Sequence, residues 1–256
     1  MISLQEIEKF YPTNLQSHKR HLLREYLQYK ILQAVFAWPS SSKLCFLGGT
    51  CLRLIHNNRR FSEDLDFDNF GLTAAEFGDL SEHIKKRLIL EGFQAEIRNV
   101  YKGAFRCYLR FPKILYDFNL SGHEGEKVLV QIDTLAHHFD YTPDKPLLNR
   151  FDVFTEISAT PLPILLSQKI GAALSRKTPK GRDFYDIVFL FSLTTPSYDY
   201  LKVKYKISNV AGLKKELARV TESFDFKALA KDVMPFLFNP GEVERVLLFP
   251  QFIKSL

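Results

Sequence analysis

The sequence predicts an α+β fold in which a mixed first half is followed by a helical second half. Three observations carry this. Apolar or β-branched stretches with strand character, at 43–47, 62–70, 93–100, 104–111 and 127–134, all lie in the first half. After about residue 158 strand signals nearly vanish, and TPLPILLSQKIGAAL, RDFYDIVFLFSL and the stretches 209–220 and 225–236 show helical spacing. Within the first half sits a strand, glycine turn and helix, in which residues 43–47 lead into Gly48-Gly49-Thr50 and then CLRLIHN.

Taken in order, residues 17–38 place Leu22, Leu23, Tyr26, Leu27, Ile31 and Val35 at helical spacing, and Pro39 ends that leading helix. In the glycine turn Thr50 is the expected helix cap. Over 62–70, Asp64, Asp66 and Asp68 alternate with Leu65 and Phe67, so a strand sets the acids on one face and the apolar residues on the other. A helix is expected over 74–91, and strands over 93–100, 104–111 and 127–134. The segment 137–160, with Pro143 and Pro146 and little periodicity, reads as the boundary, giving domains 1–158 and 159–256.

The chain has 256 residues, 46% hydrophobic, 25% charged and 14% aromatic, which excludes a disordered chain and gives enough apolar material for a core. A net charge of +6 suits a polyanionic partner without requiring one. No apolar run reaches the length of about eighteen residues that reads as a membrane span, and MISLQEIEKFYP lacks a secretory signal, so a cytoplasmic protein with no membrane partner is expected. Three cysteines, Cys45, Cys51 and Cys107, show no CxxC spacing and read as buried thiols.

Chemistry concentrates around Asp64 and Asp66. Their spacing on a strand puts two carboxylates on one face, about 6–7 Å apart at the backbone, close enough to share divalent cations. Upstream, Gly48, Gly49 and Thr50 form a turn where backbone amides and a helix N-terminus can approach phosphate. Two-metal phosphoryl transfer needs carboxylates fixed close together, and the glycine turn upstream makes the pattern far more specific than the acids alone. Asp133 ends the apolar run KVLVQIDTL, where its plain reading is a strand-end turn acid.

The stretch GGTCLRLIHNNRRFSEDLDF resembles the first motif of the AbiEii/AbiGii-type toxins, nucleotidyltransferases related to the polymerase-beta superfamily. SQKIGAALSRKTPKGRDFYDIVFL is similar to the later motifs of that family. Cys51 stands where family members usually carry Ala, a small apolar change. The resemblance implies a polymerase-beta-like nucleotidyltransferase core with a helical subdomain that completes the NTP site. It implies Asp64, Asp66 and Asp133 as ligands of Mg²⁺ or Mn²⁺, Lys169 as a contact to the NTP phosphates, and Asp183 as a base or orienting group.

Lys169 and Arg176 lie nearly two helical turns apart and share a helix side, with Ala172 and Ala173 between them. On the next helix Phe184, Ile187, Val188 and Phe191 form an apolar stripe that leaves Asp183 and Asp186 off it and able to face a cleft, where buried acids need cationic partners. Asp186 and Arg182 fit a salt-bridge network as well as catalysis. Ser62 matches a family serine and reads as a phosphate contact, a target of self-modification or a plain strand-start residue, while Arg53 and Arg60 are secondary phosphate candidates. Between 198 and 219, lysines interleave with Tyr198, Tyr200 and Tyr205, which suits either an RNA acceptor surface or an amphipathic surface segment.

The expected activity is transfer of a nucleoside monophosphate, or a short nucleotide run, from an NTP to an acceptor. The resemblance implies the tRNA 3′ end as acceptor and a cognate antitoxin as partner. Two alternatives stay open: a protein or small-molecule nucleotidyltransferase, and a non-catalytic transferase fold.

Overall fold

A computed structural model describes all of residues 1–256. The chain divides into two compact units, one comprising residues 1–51 and 62–159, the other residues 52–61 and 160–256.

The first unit holds helices α1 (Leu4–Glu8), α2 (Lys19–Phe36), α4 (Ala74–Leu90) and α5 (Ile114–Asp117), with α3 (Gly48–His56) running from it into the second unit. Its strands are β1 (Leu44–Leu47), β2 (Leu65–Asn69), β3 (Glu96–Val100), β4 (Phe105–Phe111) and β5 (Val128–Ala136), followed by the hairpin β6 (Leu147–Arg150) and β7 (Val153–Glu156). The first five strands form one mixed sheet in the order β1-β2-β5-β4-β3, parallel between β2 and β5 and antiparallel elsewhere.

Register explains the two faces of that sheet. Leu65 and Phe67 of β2, Cys107, Leu109 and Phe111 of β4, and Val130 and Ile132 of β5 are buried and share one face. Helices α2 and α4 cover it, with Phe36 against Phe67 at 6.3 Å and Phe77 against Phe105 at 5.6 Å between ring centroids. Each buried aromatic or branched side chain here removes apolar surface worth roughly 1.5–3 kcal/mol. Asp66, Asp68, Arg106, Tyr108, Arg110, Gln131 and Asp133 alternate onto the opposite face.

Strand expectations hold for all five sheet strands, with one shift that matters. The 62–70 strand starts only at Leu65, because the main chain of 62–64 is bound elsewhere: Gln28 Nε2 donates to the Ser62 and Glu63 carbonyls at 3.0 and 2.9 Å. The hairpin β6–β7 lies inside the segment read as featureless. It turns through Phe151 at φ 57°, whose ring packs on Phe10, Tyr26 and Tyr29. All three cysteines are buried free thiols.

The second unit is helical, with α6 (Leu162–Ser175), α7 (Gly181–Phe191), α8 (Tyr198–Tyr205), α9 (Val210–Thr221), α10 (Phe226–Val233), α11 (Glu244–Leu247) and α12 (Phe249–Ser255). Phe184 is its aromatic hub, within 4.9–5.9 Å of Phe224, Phe226 and Phe249. Helix α7 begins unusually close to α10: a β carbon on Gly181 would overlap the Leu229 carbonyl oxygen. No helix is long and apolar enough to cross a membrane.

Candidate active site

The glycine turn is tighter than its sequence suggests. Helix α3 already includes Gly48, Gly49 and Thr50, so Thr50 is inside the first turn and the expectation of a Thr50 cap is corrected. All three residues are buried. Gly48 sits at φ 82°, and a β carbon there would overlap Asp66 Oδ2 and come within 3.1 Å of Asp66 Cγ. Only glycine satisfies both the backbone angle and the close approach. Thr50 is fully buried, and its hydroxyl donates to the Asp64 carbonyl at 2.5 Å. The hydroxyl thus holds the chain just before β2.

Across the parallel β2–β5 pair, Asp66 is the register partner of Asp133. Their carboxylates leave the same face of neighbouring strands, which run about 4.8 Å apart. Asp133 accepts a hydrogen bond from Gln131 Nε2 at 2.8 Å on one oxygen. Its buried Oδ1 has no hydrogen bond and faces Arg106 Nε at 3.4 Å. Asp64 stands two residues before Asp66, partly exposed, outside the strand. Ser62 is also partly exposed and precedes the strand.

No three acid, histidine or cysteine side chains make a ready ligand group. The donors present are nevertheless hard carboxylate oxygens, and Mg²⁺ characteristically takes one or two carboxylates and completes its shell with phosphate and water. The Asp66–Asp133 pair, with an Asp133 oxygen lacking a hydrogen bond, fits that demand. One pleat further along β2, Asp68 is held by His137 Nδ1 at 2.9 Å and by the Tyr141 hydroxyl at 2.6 Å.

In the second unit, the charged residues converge instead of lining an open face. Asp186 has no exposure and takes a two-pronged contact from Arg60, Nε at 2.7 Å and Nη2 at 2.6 Å, with Asn58 donating at 2.8 Å. Lys169 Nζ lies 2.9 Å from Asp186 and 3.2 Å from Asp183, and Arg176 is 3.1 Å from Asp183. Burial by itself would raise the Asp186 carboxyl, but Arg60 and Lys169 outweigh it and hold the group at about 2. For Lys169 burial acts downward, and Asp186 and Asp183 reverse that and hold the ammonium above its ordinary value.

This arrangement gives Asp183 and Asp186 the cationic partners that buried acids need, with Arg60 in place of Arg182 in the network. Both are buried, because three cations neutralise them inside the helical unit. The Asp186 partner is Arg60, whereas the Arg182 guanidinium lies over the Phe236 ring at 4.5 Å. Arg60 is 1% exposed and also donates to the Phe61 carbonyl, so its donors are engaged within the unit. Arg53 lies over Phe238 at 4.6 Å.

Two of the three tyrosines expected on an acceptor surface are turned inward, and Tyr198 is half-buried. Tyr200 is buried, and the Tyr205 ring lies where a β carbon on Gly171 would be.

A nucleotidyl transferase AbiEii toxin family, type IV toxin-antitoxin system, matches residues 30–236. The chain belongs to this AbiEii family. Among solved structures it is similar to JHP933 from Helicobacter pylori, at 17% identity and a TM-score of 0.53, covering 92% of each chain. It is likewise similar to a candidate nucleotidyltransferase from H. pylori, at 17% identity and a TM-score of 0.54, covering 92% of this chain and 95% of that one. These likenesses show the fold. No curated protein sequence matches.

Within this AbiEii chain, sequence reasoning passed over Gln28, Arg106 and Gln131, which touch the acid-bearing segments. Gln28 left a legible trace, an uncharged polar residue between apolar Leu27 and Ile31 on a buried helix. Arg106 and Gln131 left none, because only strand register brings them to Asp133.

Proposed function

We propose that this AbiEii-family nucleotidyltransferase moves a nucleoside monophosphate, or a short run of nucleotides, from an NTP to the 3′ end of an RNA, with tRNA as the favoured acceptor. The observation that supports it most is the register pairing of Asp66 with Asp133, with Gly48 packed against the Asp66 carboxylate. Asp64, Asp66 and Asp133 would hold Mg²⁺ or Mn²⁺. Bound there, the cations supply polarisation of the attacking hydroxyl and neutralisation of the leaving pyrophosphate.

In this reading the chain's own contribution is positioning. Gly48 keeps space for the Asp66 carboxylate, Thr50 and Gln28 fix the main chain that carries Asp64, and Gln131 orients Asp133. Resemblance supports Lys169 as a contact to the triphosphate, Asp183 as its orienting partner, and Arg176, Gly49 and Ser62 as further members of the nucleotide site; Arg53 joins them by its place one turn into α3, whereas Arg60, buried and bound to Asp186, acts by holding that network. A cognate antitoxin is the protein partner we propose, on the strength of the type IV family.

The experiment is incubation of the purified chain with Mg²⁺, each α-labelled NTP and total RNA, with products resolved on gels. Label in tRNA-sized RNA that disappears on Asp64→Ala supports the reading. Label confined to protein refutes the RNA acceptor, and label that survives Asp64→Ala refutes the mechanism.

A further inference from the structure

The sheet of the first unit has a second face that its own helices leave open. On it, β3, β4 and β5 place three cross-strand rows, fixed by register: Arg98, Tyr108 and Gln131; Glu96, Arg110 and Leu129; Val100, Arg106 and Asp133. Arg98 is exposed, and Tyr108 and Arg110 are half-buried. The acids of these rows are matched, Glu96 by Lys127 at 2.7 Å and Asp133 by Arg106. Arg98 and Arg110 are in no ion pair, and both adjoin one aromatic ring, Arg98 across the strand pair from Tyr108 and Arg110 two residues further along its strand. Arg110 lies 6.0 Å from the centre of that ring.

We propose that this face holds the single-stranded end of the nucleic-acid acceptor, a proposal that rests on the nucleotidyl-transfer reading above. Three features select that occupant. Unpaired guanidiniums are the groups that contact phosphates. A tyrosine on an open sheet beside them offers the stacking platform that unpaired bases use, which a base-paired duplex cannot exploit. Finally, the rows lead to the acids. Each pleat advances about 6–7 Å, so Tyr108 is one step and Arg110 two steps from the row of Asp133 and Asp66. A strand whose phosphates meet Arg110 and Arg98 and whose base stacks on Tyr108 delivers its terminal hydroxyl toward the carboxylates.

The test is fluorescence anisotropy of a short labelled single-stranded RNA with the full chain, across a salt series. Compared are the wild type, Arg98→Glu with Arg110→Glu, Tyr108→Leu and Asp66→Asn, each checked for an unchanged thermal melt. The double variant is expected to bind at least about tenfold more weakly, with a slope of log affinity against log salt shallower by about 1.4, the value for two lost phosphate contacts. Tyr108→Leu is expected to lose about tenfold with the slope unchanged, since stacking is uncharged. Asp66→Asn is expected to retain binding. Wild-type RNA affinity in the double variant overturns the proposal. So does an unaffected Tyr108→Leu in which polyglutamate displaces RNA, an outcome that marks the face as a dock for an acidic protein. RNA binding that needs these residues but never yields labelled RNA leaves the surface standing and sinks the transfer reading, whereas undiminished RNA labelling by the double variant does the reverse.

Discussion

Gly48 and Asp66 occupy adjoining space so completely that a β carbon on the glycine would overlap the Asp66 carboxylate. Gly48→Ala therefore forces the acid to move and also places a side chain at φ 82°, which costs about 1–2 kcal/mol. We expect a modest drop in melting temperature and a loss of transfer of at least about a hundredfold. Parallel thermal melts and labelled-NTP assays check this, and normal activity in a destabilised variant would separate the glycine from the acid.

Thr50 holds the Asp64 carbonyl from a fully buried position. Thr50→Val keeps the shape and removes the donor, leaving that carbonyl without this partner at a cost of about 1 kcal/mol. Transfer should fall more steeply than stability does, by about tenfold, and Thr50→Ser should recover most of it. Equal recovery by Val would assign Thr50 to packing alone.

Asp186 balances Arg60 and Lys169 inside the helical unit. Removing the charge with Asp186→Asn leaves the buried Arg60 without a carboxylate and Lys169 with Asp183 alone, and should destabilise the fold by about 3–5 kcal/mol in urea unfolding. The carboxyl is depressed from 3.8 to about 2 in the folded chain, so its contribution is complete above about pH 4 and is lost as pH falls toward 2. Wild-type stability should therefore decline across that window, and the decline should flatten in the variant.

At Gly181, the first residue of α7, a β carbon would overlap the Leu229 carbonyl oxygen and reach 3.3 Å from the Val233 β carbon. Gly181→Ala must push α10 away or tilt α7, and we expect a loss of about 1–3 kcal/mol, read from a lowered urea midpoint. An unchanged midpoint would mean that α7 and α10 shift apart at little cost.

Much of the fold was legible because its signals are local. Alternation in LDFDN and KVLVQIDTL marked β2 and β5, and the same alternation placed Asp66 and Asp133 opposite their apolar neighbours. Hairpin β6–β7 was not legible, since its strands are short and its turn runs through Phe151 at positive φ without a glycine. The inward turn of Asp183 and Asp186 was hidden for a different reason. Helical spacing shows which residues share a side, but Arg60, distant in sequence, decides that the acidic side is buried. Likewise, the arginines around Tyr108 became a surface only once β3, β4 and β5 were in register.

The most direct measurement is transfer of label from α-labelled NTP to RNA in Mg²⁺ by the wild type, Asp66→Asn and Asp133→Asn, each with its melting curve. The account predicts labelled RNA with the wild type and loss of at least about a thousandfold in both folded variants, together with abolition by chelator. Wild-type labelling by a folded Asp66→Asn chain would contradict it.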